Sequence, residues 1–179
     1  MSTRERTGAE TLGGVPLGRT GAETPGVGGA KGGGVPLGRR SIDEILAGAR
    51  DRLVRVSAAE AHAEAGAGAV LVDIRPASQR EADGEIPGSW VIERNHLEWR
   101  LDPASDSRLP WVSGYDHRII VFCQEGYTSS LAAAALLDLG LSRSTDLVGG
   151  YRAWVAAGLP TAPAAAHSAL IATGAVHAG

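Results

Sequence analysis

A single cysteine, Cys123, stands in a chain of 179 residues, so no disulfide can form within it, and this usage fits a reducing compartment. No apolar run reaches the roughly 18 residues that a membrane-spanning helix needs. The opening Met1-Ser2-Thr3-Arg4-Glu5-Arg6 leads into glycine rather than into an apolar stretch, unlike a secretory signal. A cytoplasmic protein with no membrane contact is expected. Neither sign of charge is in large excess: 17 Lys and Arg against 20 Asp and Glu give a net charge of -3, with no bulk attraction to nucleic acid or anionic lipid. Small molecules or other proteins are the expected partners. The five histidines and one cysteine show no metal-ligand spacing, so no metal and no cofactor are expected.

What is present divides unevenly along the chain. Residues 1–40 repeat themselves, with Arg6-Thr-Gly-Ala-Glu-Thr11 recurring at Arg19–Thr24 and Gly13-Gly-Val-Pro-Leu-Gly-Arg19 at Gly33–Arg39. Units this short and this rich in Gly and Pro bury too little apolar area to offset the entropy of ordering them, so a disordered arm is expected. Order is expected from Ser41, where Ser41-Ile-Asp-Glu44 matches a capping box and opens an N-terminal helix over 41–52.

From Leu53 to about Pro163 apolar strands alternate with helices, the pattern of a parallel α/β domain. The expected strands are 53–56, 69–74, 90–92, 118–122 and 146–148. The expected helices cover 57–65, 77–82, 95–100, 129–139 and 150–157. A flexible tail is expected over 164–179.

Chemistry is expected where strand 118–122 ends in Cys123 and Gln124-Glu-Gly-Tyr-Thr-Ser129 leads into a helix. Ligands bind at that edge of a parallel sheet. A loop wrapped around a sulfur can aim successive backbone N–H groups at it, Gly126 can take a positive φ, and the helix N-terminus adds partial positive charge. Such surroundings favour a thiolate nucleophile. The hydroxyls of Thr128, Ser129 and Ser130 offer further donors. The alternative is an inert, buried cysteine closing a strand.

Separate blocks in order argue against inertness. Val70-Leu-Val-Asp-Ile-Arg75 with Gly84-Glu-Ile-Pro-Gly-Ser89, the six-residue loop Cys123–Thr128, and Val148-Gly-Gly-Tyr-Arg-Ala-Trp154 with Gly158-Leu-Pro160 together resemble the rhodanese family over roughly residues 53–163. The resemblance implies an α/β fold with a five-stranded parallel central sheet flanked by helices on both faces. It implies a sulfurtransferase in which Cys123 carries a persulfide and Gln124, Glu125, Gly126, Tyr127, Thr128 and Ser129 form its cradle. Asp73 and Arg75 are then expected beside the loop, as substrate contacts, a structural salt bridge or a helix cap.

With no second cysteine in the chain, the sulfur acceptor must be external, a thiol or cyanide. Family members that use thiosulfate often carry cations just after the cysteine. Here Gln124 is neutral and Glu125 acidic, so a small-molecule or protein persulfide is the expected donor and thiosulfate a poor one. Glu85 stands where the family usually has His.

Three rivals compete with this reading. A tyrosine phosphatase needs Arg at position 129, which is Ser. A Cys-His hydrolase needs a histidine beside Cys123, and His62, His96, His117, His167 and His177 sit in no motif. A non-catalytic rhodanese-like binding or redox-sensing module is the remaining alternative.

Overall fold

The computed structural model describes residues 38–164. Except for their edge residues 38–40 and 164, the arm and the tail expected from the sequence lie outside the described residues. Two capping boxes start the helical elements as their sequences require. Ser41 Oγ accepts the Glu44 N–H while Glu44 accepts the Ser41 N–H, opening α1 (Ile42–Arg50). Ser57 and Glu60 do the same for α2 (Ala58–Gly66). These hydrogen bonds, first from backbone and then from hydroxyl, hold the carboxyls of Glu44 and Glu60 below their ordinary range.

The remaining elements are β1 (Val70–Asp73), α3 (Ala77–Asp83), β2 (Trp90–Val91), α4 (Leu97–Leu101), β3 (Ile119–Phe122), α5 (Thr128–Asp138), β4 (Thr145–Asp146) and α6 (Gly150–Ala156). A single 3-10 turn, Arg94–His96, takes the start of the helix expected at 95. All strand pairs are parallel, in the order β2-β1-β3-β4.

The sheet therefore has four strands where five were expected. Of the expected strand 53–56, only an isolated parallel bridge from Val56 to Leu147 forms beside β4. Val56 N–H donates to the Asp146 carbonyl and its own carbonyl accepts from Val148 N–H. One step earlier the carbonyl of Val54 accepts the Thr145 hydroxyl at 2.8 Å, and no second bridge extends the ladder.

Alternation along the strands explains the layers. In β3, Ile119 and Val121 face one core with Leu97, Leu101, Ala132, Ala133 and Leu136 of α4 and α5, while Ile120 and Phe122 face the other. That second core holds Ala58 and Ala61 of α2 with Tyr151 and Trp154 of α6. Helices thus cover both faces, and β3, buried along its whole length, delivers Cys123 at the carboxyl edge. Helix α1 packs on α5 with Leu46 and Ala49 buried.

Candidate active site

Two loops meet behind the cysteine. Cys123 carbonyl accepts from Tyr151 N–H at 2.8 Å and Gln124 carbonyl from Arg152 N–H at 3.1 Å, tying the 123–128 loop to the start of α6. Only glycine permits so close an approach. Gly126 has φ +78°, and a Cβ there would stand 2.7 Å from Gly149 N; at Gly150, φ +60°, a Cβ would overlap the Cys123 carbonyl oxygen. Gly150 of the closing block is thus explained by backbone contact with the cysteine loop, whereas at Gly149, φ +73°, a Cβ would stand 2.7 Å from Ala153 Cβ.

Cys123 is half-buried. Its Sγ accepts the Gly126 N–H at 3.2 Å and lies 3.4 Å from Ser129 Oγ. Ser129 Oγ is also 3.1 Å from Asp146 Oδ2, and a carboxylate can only accept, so the single serine proton points to Asp146. Ser129 thereby offers the thiol a lone pair rather than a proton, unlike the donor role expected of it.

Asp73 and Arg75 form a fully buried ion pair at the end of β1, with Arg75 Nη2 2.6 Å from Asp73 Oδ2. The same guanidinium donates to the Gly84 carbonyl at 2.8 Å and to Gln124 Oε1 at 3.2 Å, and lies 3.8 Å from the centre of the Tyr151 ring. Gln124 Nε2 in turn donates to Asp83 at 2.6 Å. The pair therefore fixes one side of the loop. Burial pushes the Tyr151 phenol up, and the Arg75 charge opposes that shift.

On the open side, Cys123 lines a cavity of about 340 Å³ with Arg75, Gln79, Arg94, Gln124, Glu125, Tyr127 and Thr128. Gly126 and Ser129 touch the sulfur but do not line this space, and Asp73 meets it only through Arg75. Glu125 is ion-paired with Arg152 on the surface, and Arg94 is held 2.8 Å from Glu98. No described histidine lines the cavity: His62 packs edge-on against Trp154 and His117 against Trp111. Glu85 is buried on Arg80 at 3.0 Å, with Oε2 unpartnered.

The sequence reading missed a polar layer under the loop. Arg55 binds Asp146 through one guanidinium edge, Nε to Oδ1 at 2.7 Å and Nη2 to Oδ2 at 3.0 Å, and Asp146 also accepts from Ser130 Oγ at 2.7 Å. Arg50 and Arg55 both donate to the Gly126 carbonyl. Two opposite charges in otherwise apolar strand segments, Leu53–Val56 and Thr145–Val148, were the available signal for Arg55 and Asp146. Arg50 carried none.

Comparison with known proteins agrees with this geometry. The sequence model of the rhodanese-like domain matches residues 57–157, more than half of the chain. The thiosulfate sulfurtransferase GlpE of Stutzerimonas stutzeri is 38% identical over 100 residues, covering 56% of this chain and 83% of that protein. A sulfurtransferase of Allochromatium vinosum is 34% identical over 91 residues, covering 51% and 76%. Among solved structures, a protein of unknown function from Rhodopseudomonas palustris, described as a possible tyrosine phosphatase, superposes with a TM-score of 0.64 at 35% identity, covering 72% of this chain and all of that one. Matched across its parallel sheet, its cysteine loop and its closing glycine pair, the chain belongs to the rhodanese-like domain family and is, at the level of that family, a rhodanese-type sulfurtransferase.

Proposed function

We propose that the protein moves a sulfane sulfur from a persulfide donor to an external thiol, or to cyanide in an assay, through a persulfide on Cys123. The observation that carries this is the Gly126 N–H aimed at Cys123 Sγ at 3.2 Å, at the floor of a cavity with room for a small donor. In the first half-reaction the Cys123 thiolate attacks the outer sulfur of R–S–S⁻. The donor S–S bond breaks and R–S⁻ leaves with its electron pair. In the second, an acceptor thiolate attacks the outer sulfur of Cys123–S–S⁻, and the electron pair of that bond returns to Cys123. No net oxidation occurs, and no second cysteine is required of this chain.

Gln124 and Glu125, in place of cations beside the sulfur, support a persulfide over the dianion thiosulfate. The Glu125–Arg152 pair is exposed, so its field is screened and the preference it supports is modest. Ser129, committed to Asp146, leaves the loop without the terminal guanidinium that phosphate transfer would use.

Incubation with glutathione persulfide followed by intact-mass measurement tests the reading. One added sulfur is expected on the wild-type protein, removed again by an added thiol, and none on Cys123→Ser. Failure of several donors to add sulfur to the folded wild-type protein would instead favour a binding module.

A further inference from the structure

Arg50 lies outside the segment matched by the family and yet reaches the loop. It is the last residue of α1, and its Nη2 donates to the Gly126 carbonyl at 2.9 Å. Its Nε donates to Ser130 Oγ at 3.2 Å, and its Cζ lies 5.4 Å from the centre of the Tyr127 ring. Arg55 Nη2 donates to the same Gly126 carbonyl at 3.2 Å. A carbonyl oxygen has two lone pairs, so two guanidinium groups can fully occupy this one. That carbonyl belongs to the Gly126–Tyr127 peptide, and the N–H of the same residue, φ +78°, points at Cys123 Sγ, so holding the carbonyl restrains the loop at the residue that meets the sulfur.

The charges beneath the loop do not cancel. Asp146 compensates Arg55 through the paired hydrogen bonds, whereas Arg50 makes no ion pair among the described residues. Arg50 is half-buried, where a charge is less screened than on an open surface.

We propose that Arg50 is a positioning residue of the sulfur-transfer site, contributed by the N-terminal helix α1: it holds the Gly126 carbonyl and supplies from behind the loop the positive charge that Gln124 and Glu125 do not supply in front. This rests on the proposed role of Cys123. Negative charge developing on the sulfur during transfer is what the arrangement stabilises. A transition state that shifts charge along the S–S bond is stabilised by a donor already in place.

Arg52 provides the control. It fastens α1 to the far end of α5 through Asp138 at 2.5 Å and touches nothing in the loop. The full chain and its Arg50→Ala, Arg50→Lys and Arg52→Ala variants are compared for persulfide-to-cyanide transfer, for iodoacetamide alkylation of Cys123 at neutral pH, and for thermal unfolding. Arg50→Ala is expected to lower kcat about tenfold or more with little change in KM, and to slow alkylation to a similar degree. Millimolar methylguanidinium should restore part of both. Arg50→Lys keeps the charge without the two-pronged grip and should fall between. Arg52→Ala should keep wild-type kcat even where it lowers the unfolding temperature.

Equal losses in Arg50→Ala and Arg52→Ala, or no loss in Arg50→Ala, would overturn the proposal. Alkylation separates this from the reading beneath it. If no donor reacts with the wild-type protein the sulfurtransferase reading fails, while the alkylation rates still decide whether Arg50 acts on the sulfur. If Arg50→Ala does not fold, the same comparisons on Arg50→Lys decide.

Discussion

Cys123 and the Asp73–Arg75 pair show why some residues declare themselves in a sequence and others do not. A lone cysteine between an apolar strand and a glycine-bearing loop, or an Asp-x-Arg at a strand end, is a local pattern. Structure adds that the pair is buried and holds Gln124, so its charges are committed before any substrate arrives. Removing one partner strands the other inside the protein. Asp73→Ala is therefore expected to cost roughly 3–5 kcal/mol by urea unfolding; a cost below about 1 kcal/mol would show that Arg75 finds other compensation. Arg50, by contrast, acts on Gly126 across 76 positions of sequence. No window of neighbours contains that contact.

Secondary-structure elements follow their local chemistry closely where caps and periodicity agree. The capping boxes at Ser41 and Ser57 are spelled out in four residues each, and both form. Ser57→Ala should destabilise the protein by about 1 kcal/mol at pH 7. Because the folded state holds the Glu60 carboxyl below its ordinary range, the stability linked to it is present above that range and is lost as pH falls through the folded value. Ser57→Ala removes the hydroxyl bond to Glu60 at 2.7 Å, so unfolding curves at neutral and acid pH should show a smaller gap between wild type and Ser57→Ala in acid; an unchanged gap would count against that hydroxyl–carboxylate bond. The expected fifth strand shows the opposite case. Leu53–Val56 has strand-like residues, yet only Val56 bridges to Leu147, and the Val54 carbonyl meets the Thr145 hydroxyl. Which partner a carbonyl finds is settled by what lies beside it.

At the scale of the molecule, the sheet separates two apolar clusters among the described residues, which have no residue in common and draw on alternate side chains of the same strands. Leu136, fully buried between α5 and the sheet, anchors one of them. Leu136→Ala is expected to cost roughly 2–5 kcal/mol. Since both clusters rest on the same strands, far-ultraviolet circular dichroism and tryptophan fluorescence should still unfold in one coincident transition. Two separated transitions would mean that the layers are independent units.

No helix among the described residues is long and apolar enough to cross a membrane. The sequence by itself determined the alternation of strands and helices, the helix starts and the cysteine loop, because each of these depends on residues within a few positions of one another. Only the tertiary structure decided that four strands pair rather than five, that Ser129 turns its proton to Asp146, and that α1 brings Arg50 under the loop. Those outcomes depend on which distant groups compete for one carbonyl, one hydroxyl or one carboxylate, and that competition exists only once the chain has closed on itself.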